Sequence, residues 1–586
     1  MKQLYTKWGE SLDKNNILKE YPRPQLVRDS YFNLNGEWDY VISKNKLSEE
    51  MDGKILVPFS PESILSGVNR FLEPDEYLIY TKEVSLPKGF IKDRLLLHFG
   101  AVDQEAEVYV NDVLAITHLG GFTPFSVDIT ELINSEEFDL KVIVRDISDS
   151  GCRQTGKQRI KRGGIFYTPQ SGIWQTVWLE SVEKDFINDI TIVPDFDNSR
   201  TLINIKTNEN LDLQEFNTVL SYNGKLIGSK VFNEKNFSIE IPNFLPWTPE
   251  SPNLYDLDIT YKNDKISTYF GMRKFERKAD SKGIMRFYLN DKPYLLSGVL
   301  DQGYYPDGLL TNPSDEALYN DIKSMKEMGF NLLRKHIKIE PLRWYYHCDK
   351  IGMIVWQDMI NGSERKDIFF HGALAMLNIH INDKRHWLFG RRNKKGREQY
   401  MLELNEMISH LKNITCISTW VPFNEAWGQF DSLDVSKHIR DIDKTRLIDH
   451  ASGWSDQGGT DFRSEHIYFK KVKFNEKYAK KRILALTEFG GYSLLVNENS
   501  FNPDKVFGYK KYQNQQDLEA GIKQLYENQI IPEVRKGLNV LIYTQLSDVE
   551  DEVNGFLTYD RKVAKVDVEL IRQINKKLFD AFNSNQ

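Results

Sequence analysis

The chain has 586 residues, too many for one hydrophobic core, and its 40% hydrophobic and 27% charged residues are those of a globular protein of about three or four domains. A net charge of -7 without a long basic stripe argues against nucleic acid as a partner. No apolar run approaches membrane-spanning length and the N-terminus lacks a signal-like apolar stretch, so the expected partners include no membrane and the expected compartment is the cytoplasm. Residues 1–182 are β-rich. Short strand-forming runs at 95–99, 106–110 and 140–144 alternate with turn signals such as Asn111-Asp112, and the pattern predicts a sandwich or jelly roll. The segment Lys157 to Arg162 carries four cations, which is ordinarily a solvated loop. Residues 183–278 repeat the β pattern at 190–193, 202–206, 218–222 and 254–260, and a domain of about seven strands predicts an immunoglobulin-like sandwich.

From 279 to 586 strand-like runs alternate with amphipathic helices. The runs are 294–299, 330–336, 353–357, 416–422, 446–450, 465–469, 483–487 and 538–545, and eight such alternations predict a (β/α)8 TIM barrel. One helix is expected over 315–328, with Leu318, Ile322, Met325 and Met328 on one face. Residues 362–398 fit no strand and read as an insertion near the active face. Cys152, Cys348 and Cys416 are scattered and make no disulfide framework, no HExxH or Cys/His cluster has ligand spacing, and no Gly-rich phosphate loop is present, so no cofactor and no metal are assigned.

Polar residues at the C-terminal ends of barrel strands face the active site. Glu425 follows the fourth run and Glu488 the seventh, each after an apolar stretch, so each carboxyl is exposed only to a cleft and burial should raise its pKa. Glycoside hydrolysis needs two carboxyls flanking one bond. Further strand-end candidates for substrate contact are Asp301, Arg334, His336, Asp358, Asn424, His466, Tyr468, Tyr543 and Glu550, and Trp427 and Trp454 are candidate stacking platforms in loops.

Specific stretches resemble glycoside hydrolase family 2, the family of β-galactosidases and β-glucuronidases. They are Arg23-Pro24, Leu34-Asn35-Gly36-Glu37-Trp38, Phe99-Gly100-Ala101-Val102-Asp103, the run from His118 to Phe125, that from Ser171 to Glu180, that from Trp247 to Tyr255, and Phe270-Gly271-Met272-Arg273. The resemblance covers nearly the whole chain. It implies a jelly-roll domain, an immunoglobulin-like sandwich and a barrel, and a retaining, exo-acting β-glycosidase with an oligosaccharide or glycoside substrate. It makes Glu425 the acid/base, Glu488 the nucleophile, Asn424 the partner of the sugar 2-hydroxyl and Tyr468 the holder of the nucleophile. Carboxyls about 5–5.5 Å apart are then expected. Sandwich domains of this family often pack into homo-oligomers.

The sugar is expected to be neutral, as in a β-galactoside. The glucuronidases of the family carry Asn-x-Lys after strand eight; here Asn554-Gly555-Phe556 lacks the lysine, and the Asn393-Lys394-Lys395 match falls in the insertion. Glu550 and Glu552 would repel an anionic sugar if they face the pocket. A glucuronidase or galacturonidase is the alternative, with Lys338 or Arg343 as the cation that a carboxylate requires. A carbohydrate-binding protein without catalysis is the alternative from another class, and transglycosylation is not separable from hydrolysis by sequence.

Overall fold

The computed structural model describes residues 3–208, 214–364, 368–377 and 379–585. The first layer pair is a jelly roll. A four-stranded antiparallel sheet (Tyr31–Asn33, Val177–Val182, Arg94–Phe99, Phe125–Asp128) faces a six-stranded one (Gly53–Val57, Gly36–Ser43, Tyr77–Ser85, Glu137–Arg145, Glu105–Val110, Val113–Leu119). Alternation along the strands sends Leu95, Leu97, Phe99, Val108 and Val142 inward, where they close over Trp38 and Tyr80. A smaller sandwich follows. Three strands (Ile187–Asp195, Arg200–Thr207, Asn236–Glu240) pack on four (Lys225–Phe232, Phe216–Tyr222, Tyr255–Tyr261, Asp264–Phe270) around Ile203, Leu257 and Ile259.

A buried ionic knot joins these two bodies. Arg28 donates to Glu180 (3.0 Å) and to Asp264 (3.0 Å), while Arg23 donates to the same Glu180 at 2.6 Å. The second sandwich is tied to the barrel through Asp349. Its carbonyl accepts from the Trp247 indole at 2.9 Å, and its carboxyl accepts from the Tyr269 hydroxyl at 2.9 Å.

The barrel strands are Leu296–Asp301, Leu332–Lys335, Ile354–Asp358, Ile417–Val421, Leu447–Ile448, Phe462–Ile467, Ile483–Gly490 and Leu538–Thr544, numbered one to eight below. All eight are parallel, in the spatial order 5-4-3-2-1-8-7-6. Most of them are buried on both faces, which is why they read as apolar runs, while strand six is polar and partly open at Glu465 and His466. The helix Asp315–Glu327 forms as its pattern predicts. Ser314 caps its N-terminus by accepting from the Ala317 N–H, and Leu318, Ile322 and Met325 are buried.

The alternation is incomplete between strands five and six. No helix joins them, and no ladder closes the sheet there. The gap is bridged instead by the Ser464 hydroxyl on Asp449 (2.8 Å) and by the Ile448 N–H on Asp461 (2.9 Å). Strand five has only two residues, so it offers too few backbone groups for a regular ladder. The insertion contains the helix Ile368–Met376 and a 3-10 turn His386–Phe389, and the long helix Lys394–Leu411 begins at its end. Residues 365–367 and 378 of the insertion lie outside the described residues. Among the described residues no helix is long and apolar enough to cross a membrane.

Candidate active site

Strand four runs out through Pro422 and Phe423 into Asn424 and Glu425, where the chain turns sharply. Glu425 and Ala426 both hold left-handed backbone conformations, φ 50° and 62°, which non-glycine residues adopt only when the surroundings impose them. The imposing contacts are two backbone hydrogen bonds to the segment beyond strand five: Glu425 N–H to the Ser452 carbonyl and Ser452 N–H to the Phe423 carbonyl, each 2.9 Å. Glu488 sits inside strand seven, in register with His466 of strand six. The barrel therefore sets both carboxyls from rigid elements.

The two meet at one imidazole. His466 Nδ1 is 2.8 Å from Glu425 Oε1 and 3.5 Å from Glu488 Oε2. One oxygen of each carboxyl and one nitrogen of this ring all lie within 4.8 Å of one another. The other ring nitrogen, Nε2, faces the Arg334 guanidinium at 3.5 Å. A guanidinium offers only N–H groups, so Nε2 is the acceptor and the ring proton resides on Nδ1. Burial, aided by the charges of Arg334 and Lys157 and opposed by that of Glu488, lowers the His466 pKa to about 3, so the ring is neutral.

The environments of the two carboxyls differ. Burial raises Glu425 to about 7 against the opposing pull of Lys157 and Arg334. Glu488 accepts from the Tyr468 hydroxyl at 2.6 Å and from Arg334 Nη1 at 3.4 Å. The Thr544 hydroxyl at the end of strand eight is 2.9 Å from Tyr468 and completes that chain of donors.

Arg334 is the hub. Fully buried, it donates to Asp358 (3.0 Å), to the Asn424 side-chain oxygen (2.7 Å) and to the Thr487 carbonyl (3.2 Å). Asn424 is thereby fixed with its oxygen toward Arg334. Its Nδ2 is buried without a partner among the described residues, a donor left for a ligand. Asp358 also meets His336 Nδ1 at 2.7 Å, and burial raises the Asp358 pKa to about 7. Seven candidates thus converge: Glu425, Glu488, Arg334, Asn424, Asp358, His466 and Tyr468, with His336 behind Asp358.

Three expectations are corrected by position. Asp301 turns to the outside of the barrel, because it occupies the same register and face as Lys335; it pairs with that lysine at 2.7 Å, and Lys335 in turn pairs with Glu340. Tyr543 also points away from the mouth, packing between Phe489 and Phe556, with its hydroxyl accepting from the Tyr492 N–H. Glu550 is occupied by the Thr168 N–H (2.9 Å) and Arg162 (3.2 Å). Trp454 is half-buried at the rim, next to Gly372 of the insertion. Trp427 is only 5% exposed, its ring covered by Phe166 and by the Lys157 ammonium.

Of the four cations from Lys157 to Arg162, Lys161 is solvated as expected, but Lys157 is buried and Arg162 is paired with Glu550 and Asp551. Residues 153–168 make a strap from the first sandwich across the barrel mouth. Thr155 and Gly156 N–H groups bind the Asn361 carbonyl beyond strand three, and Arg162 binds Glu550 and Asp551 beyond strand eight. The strap delivers Lys157 and Tyr167 to the site. Tyr167 donates to Glu552 at 2.5 Å, and Glu552 senses the charges of both Lys157 and Glu488. Tyr509, from the loop after strand seven, lies parallel on Tyr468 at 3.7 Å. Lys157, Tyr167 and Tyr509 sit at no predicted strand end, so strand-end reasoning passes over them, whereas Glu552 is weighed beside Glu550 from the sequence. Lys338 and Arg343, the cations considered for an acidic sugar, are spent on Glu340 and Asp315.

This is a protein of two β-sandwiches on a TIM barrel, with a buried pair of carboxyls at the barrel mouth. The chain belongs to Glycosyl hydrolases family 2: the family's sugar binding domain matches residues 70–180, its central domain 186–273 and its TIM barrel domain 282–492. A provisionally named β-glucuronidase from Formosa agariphila is 30% identical over 298 residues, 48% of this chain and 34% of its own length. A β-galactosidase from Thermoanaerobacter pseudethanolicus is 26% identical over 435 residues, 70% of this chain and 53% of that protein. The chain thus spans between a third and about half of these relatives. Among solved structures, a β-glucuronidase from an uncultured Clostridium superposes with a TM-score of 0.75 at 20% identity, covering 94% of this chain and 99% of that one.

Proposed function

We propose that the chain is a retaining, exo-acting β-glycosidase in which Glu425 is the acid/base and Glu488 the nucleophile. The observation that carries this reading is the close pair with split environments: carboxyl oxygens within 4.8 Å, one carboxyl raised to about 7 and the other gripped by Tyr468 and Arg334. A separation of that size suits a covalent double displacement, since an inverting pair must leave about 6.5–9.5 Å for a water.

In the first step the Glu488 carboxylate attacks the anomeric carbon while Glu425 gives its proton to the departing glycosidic oxygen. A glycosyl ester on Glu488 and a free alcohol result. In the second step Glu425, now a carboxylate, takes a proton from water, whose oxygen displaces Glu488 from the anomeric carbon with the original configuration restored. The His466 Nδ1–H stabilises Glu425 when it is charged, and the free Asn424 Nδ2 is placed to bind the sugar 2-hydroxyl. The strap over the mouth favours attack at a chain end over binding along a groove.

Glu552 favours a neutral sugar such as a β-galactoside, because a carboxylate beside the site repels an anion. Lys157 favours a uronide. The test is a panel of aryl β-galactoside, β-glucoside, β-mannoside, β-glucuronide, β-galacturonide and α-arabinoside, with the anomer of the first-formed sugar read by proton NMR. Turnover of one or more with retention is expected. An inverted product, or no turnover of any, overturns the reading.

A further inference from the structure

We propose that Lys157, carried from the first sandwich to the barrel mouth, is the residue that receives the carboxylate of a β-linked hexuronic acid. This rests on the glycosidase reading above and names its substrate class.

Lys157 is 7% exposed, and its charge is felt by Glu425, Glu552, His336 and His466, groups on all sides of the site. Its ammonium lies 4.8 Å from the centre of the Trp427 ring. Among the described residues it has neither a hydrogen bond nor a carboxylate within ion-pair distance. The other cations near the site are engaged: Arg334 by Asp358, Arg162 by Glu550 and Asp551, Lys338 by Glu340. The ammonium thus has an aromatic face beside it and no anion, and an incoming carboxylate would supply the missing counter-charge.

The strap holds this lysine in place. Its carbonyl accepts from the Tyr167 N–H at 3.0 Å, the preceding Gly156 (φ 62°) abuts the Ile337 carbonyl where a side chain would crowd, and the following Gln158 binds Asp103 at 2.9 Å. The cation is thus preorganised and loses little freedom on meeting a ligand. Glu550, which on sequence grounds opposed an acidic sugar, is neutralised by Arg162. That leaves Glu552, whose oxygens are occupied by Tyr167 and Asn554. The Asn-x-Lys cation expected after strand eight is thus replaced by one from a different domain.

The test compares kcat/KM for p-nitrophenyl β-glucuronide and β-galacturonide with that for the matching neutral β-glucoside and β-galactoside, in the full chain and in Lys157→Met and Lys157→Arg. At least one uronide should exceed its neutral counterpart, and which one reports the C4 configuration that is read. Lys157→Met should lower the uronide-to-neutral ratio by about 100-fold, mainly through KM, with Lys157→Arg retaining part of it. Calorimetric binding of free glucuronate and galacturonate to Glu488→Gln, lost on adding Lys157→Met, gives a readout independent of turnover. Turnover of neutral glycosides with no uronide activity, or an unchanged ratio in Lys157→Met, overturns the assignment while the glycosidase reading stands. No turnover of any glycoside overturns both.

Discussion

His466 donates its Nδ1 proton to Glu425 across 2.8 Å, from a ring whose other nitrogen is turned toward a guanidinium. The ring cannot become a second acid in this position, because burial holds it neutral to about pH 3. In the acid/base role proposed for Glu425, it would be a fixed dipole that steadies the carboxylate after the proton has left.

The pH dependence follows from Glu425. Its carboxyl holds the transferable proton below about pH 7 and loses it above. For an aryl glycoside with a poor leaving group, kcat/KM should fall about tenfold per pH unit on the alkaline side of pH 7. A dinitrophenyl glycoside, whose leaving group needs no proton, should show a much flatter alkaline limb. Equal limbs for the two substrates would remove Glu425 from the acid role.

Replacing either carboxyl by its amide separates chemistry from folding. Glu488→Gln and Glu425→Gln should each lower kcat on a p-nitrophenyl glycoside by about 10²–10⁴-fold. Stability should move the other way for Glu425→Gln. A carboxyl whose pKa is raised on folding contributes stability fully below its unfolded value of about 4.3, and loses it as pH rises toward the folded value. At pH 8 the neutral amide escapes that penalty, so the variant's Tm should exceed wild type by about 2–4 °C, with the two nearly equal at pH 4. A variant less stable than wild type at pH 8 would contradict the burial of this charge.

Arg334 neutralises the core of the site and orients Asn424 at the same time. Arg334→Met leaves Asp358 with His336 as its remaining side-chain partner and frees Asn424 to rotate. The expected cost is about 3–5 kcal/mol of folding stability, read by chemical denaturation. Arg334→Lys keeps the charge without the planar fork, so it should fold yet lose most activity.

Glu180 tests the joint between the sandwiches. It receives Arg23, Arg28 and the Trp178 indole, and although burial opposes its charge, the arginines hold its pKa well below the usual range. Such a depressed carboxylate contributes stability above its unfolded pKa and loses it as pH falls. Glu180→Gln should therefore lower stability at pH 7 by about 3 kcal/mol, with a smaller difference from wild type below pH 4. Activity of the folded fraction, measured at 25 °C, should be little changed.

All eight barrel strands and both sandwiches are legible in the sequence because each depends on local periodicity: parallel strands buried on both faces read as apolar runs, and sandwich strands alternate. The joint between strands five and six was not legible. It depends on Ser464, Asp449 and Asp461, which pair across the gap. Among the site candidates, Glu425, Glu488, Arg334, Asn424, His466 and Tyr468 share the mouth because position at a strand end implies it. Asp301 and Tyr543 satisfy the same rule and yet point elsewhere. A one-residue difference along a strand reverses the face, and linear order alone cannot assign that parity at a frayed end.

By itself, then, the amino-acid order determined the three-part architecture and the carboxyl pair at strands four and seven, through patterns that repeat within a few residues. Tertiary structure alone decided what surrounds the pair. Lys157 reads as one charge in a solvated basic run until the strap folds across the barrel; only there does an ammonium from the first sandwich come within electrostatic reach of Glu425 and Glu552 from the last domain. Electrostatic surroundings are sums over spatial neighbours, and those neighbours lie hundreds of residues apart in the chain.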